Sequence, residues 1–558
     1  MDNKTRGFKR KKKSFLKNAR KYGKKGKFGR GSHINEETYQ YFLRVLELDK
    51  SGFDNAEEKK IFVENVFQQT VGEELNYSYN QVASRALENI LPFSSDDVIN
   101  RFIKEFDKEI RVVCVDQFAS HVLQKLITVA ADRNLREPGG ERLWLTKVAL
   151  FVLNNIEEFV WDQYANHIVR TVIQQLGTHA NNHEELKKVL VRYSRVLAGL
   201  PQLRDFAGST LPSGLLQVSL QALGEHSKPL IERLLADVFR DERAEDSESE
   251  VPTELSCEAS CRLAEAIVAT VAAHHPSLLT TVRNQLSHGR VALLSLHPTA
   301  NFFVQRLLQN CWVPSELEKI FDELSGRLSE VLSARHSGVL LSLGQACQRL
   351  GIQQHRFMKE LFQCFECWEP DDRQIKSVWQ IATLKKFSEN DSEQKVKVQL
   401  HGSLLLQALL SFKKPIKIVQ SLLQMPVSNL TYLICDPCGS HIMDAFVNSP
   451  TVGEKSREKM AHRLKGNFVT LSCSKHGSRA LDALWAVLPC KLREMIATEL
   501  SNSRSKVIAD NFGFGVWSRY ALDTFCHRRA DWVAAQEGKR RVQKLFADIL
   551  PANSKSVQ

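Results

Sequence analysis

The 558-residue chain is long enough for several ordinary domains or one repeat array, and its 43% hydrophobic and 25% charged residues exclude wholesale disorder. With 27 Gly and 16 Pro it is neither collagen-like nor Pro-rich, and its longest apolar run, Ala266 to Ala273, falls far short of the roughly 18 residues that span a bilayer. The net charge of +12 is unevenly placed: residues 1–30 hold fourteen Lys/Arg and one acid, while the other 528 set 62 basic against 63 acidic side chains.

At the N-terminus, the run Lys9-Arg10-Lys11-Lys12-Lys13 repels itself and offers no apolar face to bury. Residues 1–34 are therefore expected to form a disordered basic tail. Clustered Lys/Arg attract polyanions through counterion release, so the tail reads as a nuclear or nucleolar address with non-specific phosphate binding. Phe8, Phe15, Tyr22 and Phe28 are interleaved in it as rings on which bases can stack. No apolar stretch follows, so no secretory signal is expected and the chain is expected to stay inside the cell.

Beyond the tail, one frame recurs. Asp116-Gln-Phe-Ala-Ser120-His121-Val-Leu-Gln124 returns as Asp162-Gln-Tyr-Ala-Asn166-His167-Ile-Val-Arg170, as His297-Pro-Thr-Ala-Asn301-Phe302-Phe-Val-Gln305 and as Asp436-Pro-Cys-Gly-Ser440-His441-Ile-Met-Asp444. Anchored on the fifth residue, copies fall at Ser84, Ser120, Asn166, Ser213, Ser260, Asn301, Gly338, Ser403, Ser440, Ser478 and Phe514, at intervals of 36 to 65 residues. Four places before the anchor stand Asn80, Asp116, Asp162, Ser209, Ser256, Asp436, Ser474 and Asp510, residue types whose side-chain oxygen caps a helix N-terminus. Apolar residues then recur two, three, six and seven places after the anchor, as in Val122, Leu123, Leu126 and Ile127, which makes one helical stripe.

A stripe repeated in this way predicts stacked helices sharing a continuous core: an all-α solenoid of about eleven helical repeats. The repeats divide into 35–351, holding the first seven, and 396–550, holding the last four with a capping stretch from Asp531 to Leu550; residues 551–558 form a short tail. The acidic, Ser-rich stretch Asp241 to Glu254 reads as a long loop. The 65-residue interval reads as an insertion over 352–395, ending in the polar Ser388-Glu-Asn-Asp-Ser-Glu-Gln.

The anchor, the next residue and the one four later fall opposite the stripe and form a ladder. Its rungs are Ser84/Arg85/Glu88, Ser120/His121/Gln124, Asn166/His167/Arg170, Asn301/Phe302/Gln305, Ser440/His441/Asp444 and Ser478/Arg479/Asp482, with Ser403/Gln407 lacking an aromatic between them. Hydroxyl, amide and carboxylate groups suit the edges of RNA bases, and Arg, His or Phe beside them supplies a flat surface for stacking. Ser260/Cys261/Ala264, Gly338/Val339/Ser342 and Phe514/Gly515/Ser518 have lost most of that chemistry, and Ser213 is followed by Gly214, which gives nothing to stack on.

The frame Ala-Asn301-Phe302-Phe-Val-Gln305 resembles the second helix of a Pumilio (PUF) repeat, with its Asn-aromatic-x-x-Gln motif. The resemblance covers residues 70–550 and implies a C- or U-shaped solenoid. By the family's code it implies uracil at Asn301/Gln305, adenine at Ser120/Gln124 and guanine at Ser84/Glu88. Arg170, Asp444 and Asp482 depart from that code, so relaxed specificity and some recognition of RNA structure are expected. Eleven divergent repeats, the elongated gap and the basic tail resemble the nucleolar protein 9 family of ribosome-assembly factors. That likeness implies single-stranded or structured RNA as ligand, chiefly precursor ribosomal RNA, with proteins of the pre-ribosomal particle as partners. It further implies no membrane, a monomer, a nucleolar location and action in small-subunit (18S) maturation.

Nothing suggests an enzyme, and no cofactor is expected. The twelve cysteines are too sparse for a disulfide scaffold, and Cys364/Cys367 and Cys435/Cys438 have no partner pair at zinc-site spacing. Walker, nucleophile-elbow and dinucleotide fingerprints are missing. Two other classes stay open: a Pumilio-type regulator of messenger 3′ untranslated regions, and a helical protein scaffold whose ladder meets peptide.

Overall fold

A computed structural model describes residues 15–240, 251–388 and 396–547, the last nine of these as backbone only. Among the described residues there is no strand, only two isolated bridges, Gly31 with Asn80 and Arg136 with Leu143. Residues 1–14, 241–250, 389–395 and 548–558, which take in the basic run, most of the acidic loop and the C-terminal tail, lie outside the described residues. No described helix is long and apolar enough to cross a membrane.

The helices come in triplets of a first helix, a short second helix and an anchor helix. One such triplet is Asp96–Phe106, Ile110–Val115 and Ala119–Asp132; another is Glu454–Arg463, Phe468–Ser472 and Gly477–Val487. The apolar stripe does what its spacing predicts: Phe303, Val304, Leu307 and Leu308 are all buried, and each such side chain is worth about 1.5–3 kcal/mol. Within each compact unit of the chain, anchor helices pack on their second helices and on the anchor helix of the next triplet, as Ala165–His179 does on Thr210–Leu223 and Asn301–Gln309 on Ser337–Leu350, so neighbouring triplets complete one another's core.

The chain divides into two compact units, residues 1–244 with 252–286, and residues 287–558 with 245–251. In the first, the anchor helices are Ala83–Ile90, Ala119–Asp132, Ala165–His179, Thr210–Leu223 and Glu258–His274. In the second they are Asn301–Gln309, Ser337–Leu350, Leu400–Leu410, Ser440–Asn448, Gly477–Val487 and Asn511–Arg519. This unit ends in Leu522–His527 and Arg529–Ala547, where Trp532 is buried against Trp485 and Phe525 and donates its indole N–H to Tyr520 O at 2.7 Å.

Two expectations about chain organisation are corrected. The segment 352–395 is no insertion between repeats. Helices Gln354–Cys364 and Ser377–Thr383 are the first and second helices of the triplet that ends in Leu400–Leu410, with Phe357, Leu361, Val378 and Ile381 fully buried. The extra length lies in the two connections around Ser377–Thr383. The second correction concerns the basic tail. Residues 15–34, expected to be disordered, carry the helix Phe15–Gly23, which packs on Glu36–Ser51, and a strap held to the first triplet. Ala19 and Ile34 are buried, and Tyr39 donates its hydroxyl to Ala19 O at 3.0 Å, so this stretch has the apolar footing that the lysine run lacks.

Candidate RNA interface

Most anchor helices are opened by the residue four places before the anchor. The Oδ1 of Asp116 accepts from the amides of Phe118 and Ala119 at 2.8 and 2.7 Å, and Asp162, Asp436 and Asp510 repeat the arrangement. His297 does the same through Nδ1, at 3.2 Å to both Thr299 and Ala300. Ser474 accepts from Gly477 at 3.2 Å, whereas Ser209 caps nothing with its side chain.

This geometry shifts two rungs. Ser256 instead turns back to Pro252 O, and the capping place is held by Cys257, whose thiol is lowered chiefly by the Ser260 backbone amide, with a further contribution from that of Ala259. The Cys261 amide donates to Cys257 O at 3.0 Å, as the anchor amides at Ser84 and Ser440 do to Asn80 and Asp436. The rung is therefore Cys261/Arg262/Glu265, not Ser260/Cys261/Ala264. Likewise Val339, expected beside the anchor on the open face, is wholly buried, and Ser337 donates to or accepts from His401 Nδ1 at 2.9 Å. Its place matches that of Ser213 and Ser403, which bond to Ala259 O and Cys438 O two places before the next anchor. The anchor there is Ser337, followed by Gly338 and Leu341. A sequence signal was present in both copies. Counting from Ser260 puts Arg262 on the apolar stripe, and counting from Gly338 puts Gln345 there; moving one residue makes both stripes apolar or small.

The three positions of a rung differ in exposure. Arg85, His121, His167, Phe302, His441 and Arg479 are exposed, as is Arg262, and Phe302 keeps 54% of its surface in water. Glu88, Gln124, Arg170, Gln305, Gln407, Asp444 and Asp482 are half-buried. The anchors themselves, expected on the open side, are buried: Ser84, Ser120, Asn166, Asn301, Ser403, Ser440 and Ser478 lie in the seams between neighbouring helices. The small Ser and Asn side chains are what the seam admits, and most of their polar atoms are already engaged.

In three rungs those bonds tie the anchor to the residue four later. Gln305 Nε2 donates to Asn301 Oδ1 at 2.9 Å, while Asn301 Nδ2 donates to His297 O and Pro298 O. Gln407 and Gln217 donate to Ser403 and Ser213, each at 3.1 Å, so Gln217 belongs to the ladder although it was not foreseen. Asn166 donates to Val160 O at 2.7 Å, and the half-buried Arg170 of the same rung reaches Leu211 O at 2.7 Å. Its guanidinium fills the space over Gly214, where a Cβ would stand 2.6 Å from Nη2; Gln305 does the same over Gly338. These two glycines are therefore forced by the preceding rung. Asp482 is paired with Arg519 at 2.7 Å and His441 Nδ1 stands 3.4 Å from Asp444.

The ladder thus presents an exposed flat side chain beside a half-buried amide or acid, repeated along successive helices. A family model, the NOP9-like PUF repeat domain, matches residues 72–192 and 181–513. The chain belongs to that family. Nucleolar protein 9 of Mus musculus is 29% identical over 584 aligned positions, covering 93% of this chain and 91% of the mouse protein. The Homo sapiens protein of the same name is also 29% identical, over 582 positions, with the same coverage. Among solved structures, APUM23-GGAAUUGACGG covers 90% of this chain and 100% of its own, with a TM-score of 0.73 at 20% identity. The NOP9-like PUF fold is therefore a Pumilio-type α-solenoid, and the triplets described above are its repeats.

Proposed function

We propose that the chain is a non-catalytic RNA-binding protein of the nucleolus, acting in ribosome biogenesis as a monomer alongside proteins of the pre-ribosomal particle. Its ligand is precursor ribosomal RNA, and by holding it the protein controls the timing of a cleavage in small-subunit (18S) maturation. The observation that carries the reading is the ladder: exposed Arg85, His121, His167, Arg262, Phe302, His441 and Arg479 occupy one frame on successive anchor helices. A lone exposed ring on a helix means little, but the same place repeated along a solenoid is what base-by-base stacking requires. The relatives' name, Nucleolar protein 9, supports the location, and the RNA sequence in APUM23-GGAAUUGACGG supports the ligand class.

Edge chemistry assigns preferences to individual rungs. Glu88 and Glu265 each stand beside an arginine, and a carboxylate accepts both N–H groups on the guanine edge, so both rungs favour guanine. By the code of the Pumilio repeats that the chain resembles, Gln305 with Asn301 favours uracil and Gln124 with Ser120 adenine, while Asp482, engaged by Arg519, reads its base weakly. Ultraviolet crosslinking in cells, followed by mapping of the bound RNA, tests the function. A dominant peak on precursor small-subunit ribosomal RNA is expected; peaks spread over messenger 3′ ends, or a near-empty map, would overturn it.

A further inference from the structure

Four of the capping residues are aspartates; the one that opens the helix Ala83–Ile90 is an asparagine. Asn80 does what they do, its Oδ1 accepting from Val82 and Ala83 at 3.0 and 3.3 Å. Its amide nitrogen does something that aspartate cannot. Nδ2 donates to Phe28 O at 3.1 Å and to Ser32 O at 3.0 Å, gripping both ends of the stretch 28–32. Backbone bonds from Gln81 to Arg30 O at 2.9 Å and from Ser32 to Tyr79 O at 3.2 Å complete the strap. Gly31 has a φ of 92°, and a Cβ there would stand 1.9 Å from Tyr79 O, so only glycine lets the strap lie this close.

The strap and the helix before it are strongly cationic. Between residues 15 and 34 there are seven Lys/Arg and no acid, and all seven are exposed. Arg20 among them pairs with Glu47. At the front of the segment, the Phe15 ring lies under the guanidinium of Arg85, 4.3 Å from ring centroid to Cζ. Arg85 is the stacking residue of the first rung. The segment is thus bolted to the helix that carries that rung and touches the rung itself.

We propose that residues 15–33 form an ordered, basic extension of the RNA-binding ladder, held in register by Asn80, that binds the phosphate backbone of the nucleotides flanking the first rung. This rests on the RNA-binding reading of the ladder. Loose basic tails bind polyanions anywhere; this one is anchored where a strand leaving Arg85 must pass, so its charge acts at one end of the bound RNA. Phosphate contacts of this kind position a strand without reading its sequence.

The test uses the full chain and three fluorescein-labelled RNAs: GGAAUUGACGG, and the same sequence lengthened by six uridines at the 5′ or at the 3′ end. Binding is followed by anisotropy over a salt series. The Asn80→Asp variant keeps the cap and loses both donors to the strap; a second variant carries Lys24→Ala, Lys25→Ala and Lys27→Ala, all at exposed positions. The wild type should bind one lengthened RNA more tightly than the short one. Both variants should lose that gain, binding the preferred RNA about tenfold more weakly at 0.15 M salt, with a log–log salt slope smaller by about 2, the release expected for about three single-strand phosphates. Variants with wild-type affinity and slope on all three RNAs would overturn the strap's role. A wild type that binds none of them would remove the RNA reading of the ladder, and the strap's role with it.

Discussion

Phe302 is a large apolar ring left 54% exposed between Asn301 and Phe303, both buried. Folding gains little from it there, so Phe302→Ala should leave the melting temperature unchanged while weakening binding to a preferred RNA by about 1–3 kcal/mol, the usual worth of a base–aromatic stack. A titration of both proteins against one RNA at moderate salt checks this; equal affinities would remove Phe302 from the interface. His167 carries a pH signal. Burial lowers its pKa first, and the charges of Arg170 and His121 lower it further, so it is mainly neutral at pH 7. A depressed histidine favours the fold above its unfolded value of about 6.5, and that contribution is lost as pH falls through the lower folded value. Bound phosphates act in the opposite direction and raise the pKa, so RNA binding takes up a proton. Affinity should therefore tighten between pH 7.5 and 5.5, and His167→Gln should flatten the profile; a profile unchanged by that variant would place His167 away from the RNA. Thiols divide by surroundings as well. Burial pushes Cys114, Cys347 and Cys364 up to about 12, whereas backbone amides lower Cys257. Iodoacetamide at pH 8 should modify Cys257 well before those three, as peptide mass mapping would show.

At the scale of the element, the anchor helices were legible because their stripe and caps rest on local rules: Val122, Leu123, Leu126 and Ile127 face inward, and Asp116 closes the first turn, as the spacing predicts. The departures have equally local causes. Cys257 holds the N-cap position without a capping side-chain hydrogen bond and lies outside the usual set of Ser, Thr, Asp and Asn, so the neighbouring Ser256 drew the assignment and pulled the rung one residue early. Length misled in the segment 352–395, where two ordinary helices are separated by unusually long connections. Burial of the anchors follows from tertiary packing: a helical wheel places Ser213 opposite the stripe, but it is buried and bonds to Ala259 O at the next anchor helix. The strap was hidden by charge, since Lys24, Lys25 and Lys27 dominate the composition while Ala19, Phe28 and Ile34 supply the footing. The corrected register makes its own prediction. Glu265→Gln should erode a preference for guanine at one RNA position, and Arg262→Ala should weaken binding there regardless of base; affinities for RNAs varied at that single position measure both. A preference that stays put in Glu265→Gln, with Ala264→Ser altering it instead, would restore the original rung.

Across the whole molecule, the design repeats one close approach. The residue before most anchors is small, as with Ala83, Ala119 and Ala165 in the first unit and Gly402, Gly439, Gly477 and Gly513 in the second. At Gly439 a Cβ would stand 2.1 Å from Leu433 O, at Gly513 2.3 Å from Val507 O and at Gly402 2.3 Å from Ile381 O. In each case the neighbour is the backbone of the second helix of the same triplet, which cannot swing aside as a side chain does. Gly439→Ala must push the anchor helix Ser440–Asn448 off Val427–Cys435, at a cost of about 1–3 kcal/mol, typical of an overpacked core. How far that damage spreads is set by the architecture. Each triplet meets only its neighbours, so stability is a sum of repeat and nearest-neighbour contributions and a local fault stays local. Hydrogen–deuterium exchange on Gly439→Ala should quicken in Val427–Cys435, Ser440–Asn448 and the adjoining anchor helices Leu400–Leu410 and Gly477–Val487. Amides in Ala119–Asp132 and Ala165–His179, which belong to the other compact unit, should keep their wild-type rates. Uniform acceleration along the chain would mean that the solenoid opens as one cooperative body, and the effect of any ladder substitution on RNA binding would then have to be corrected for global unfolding.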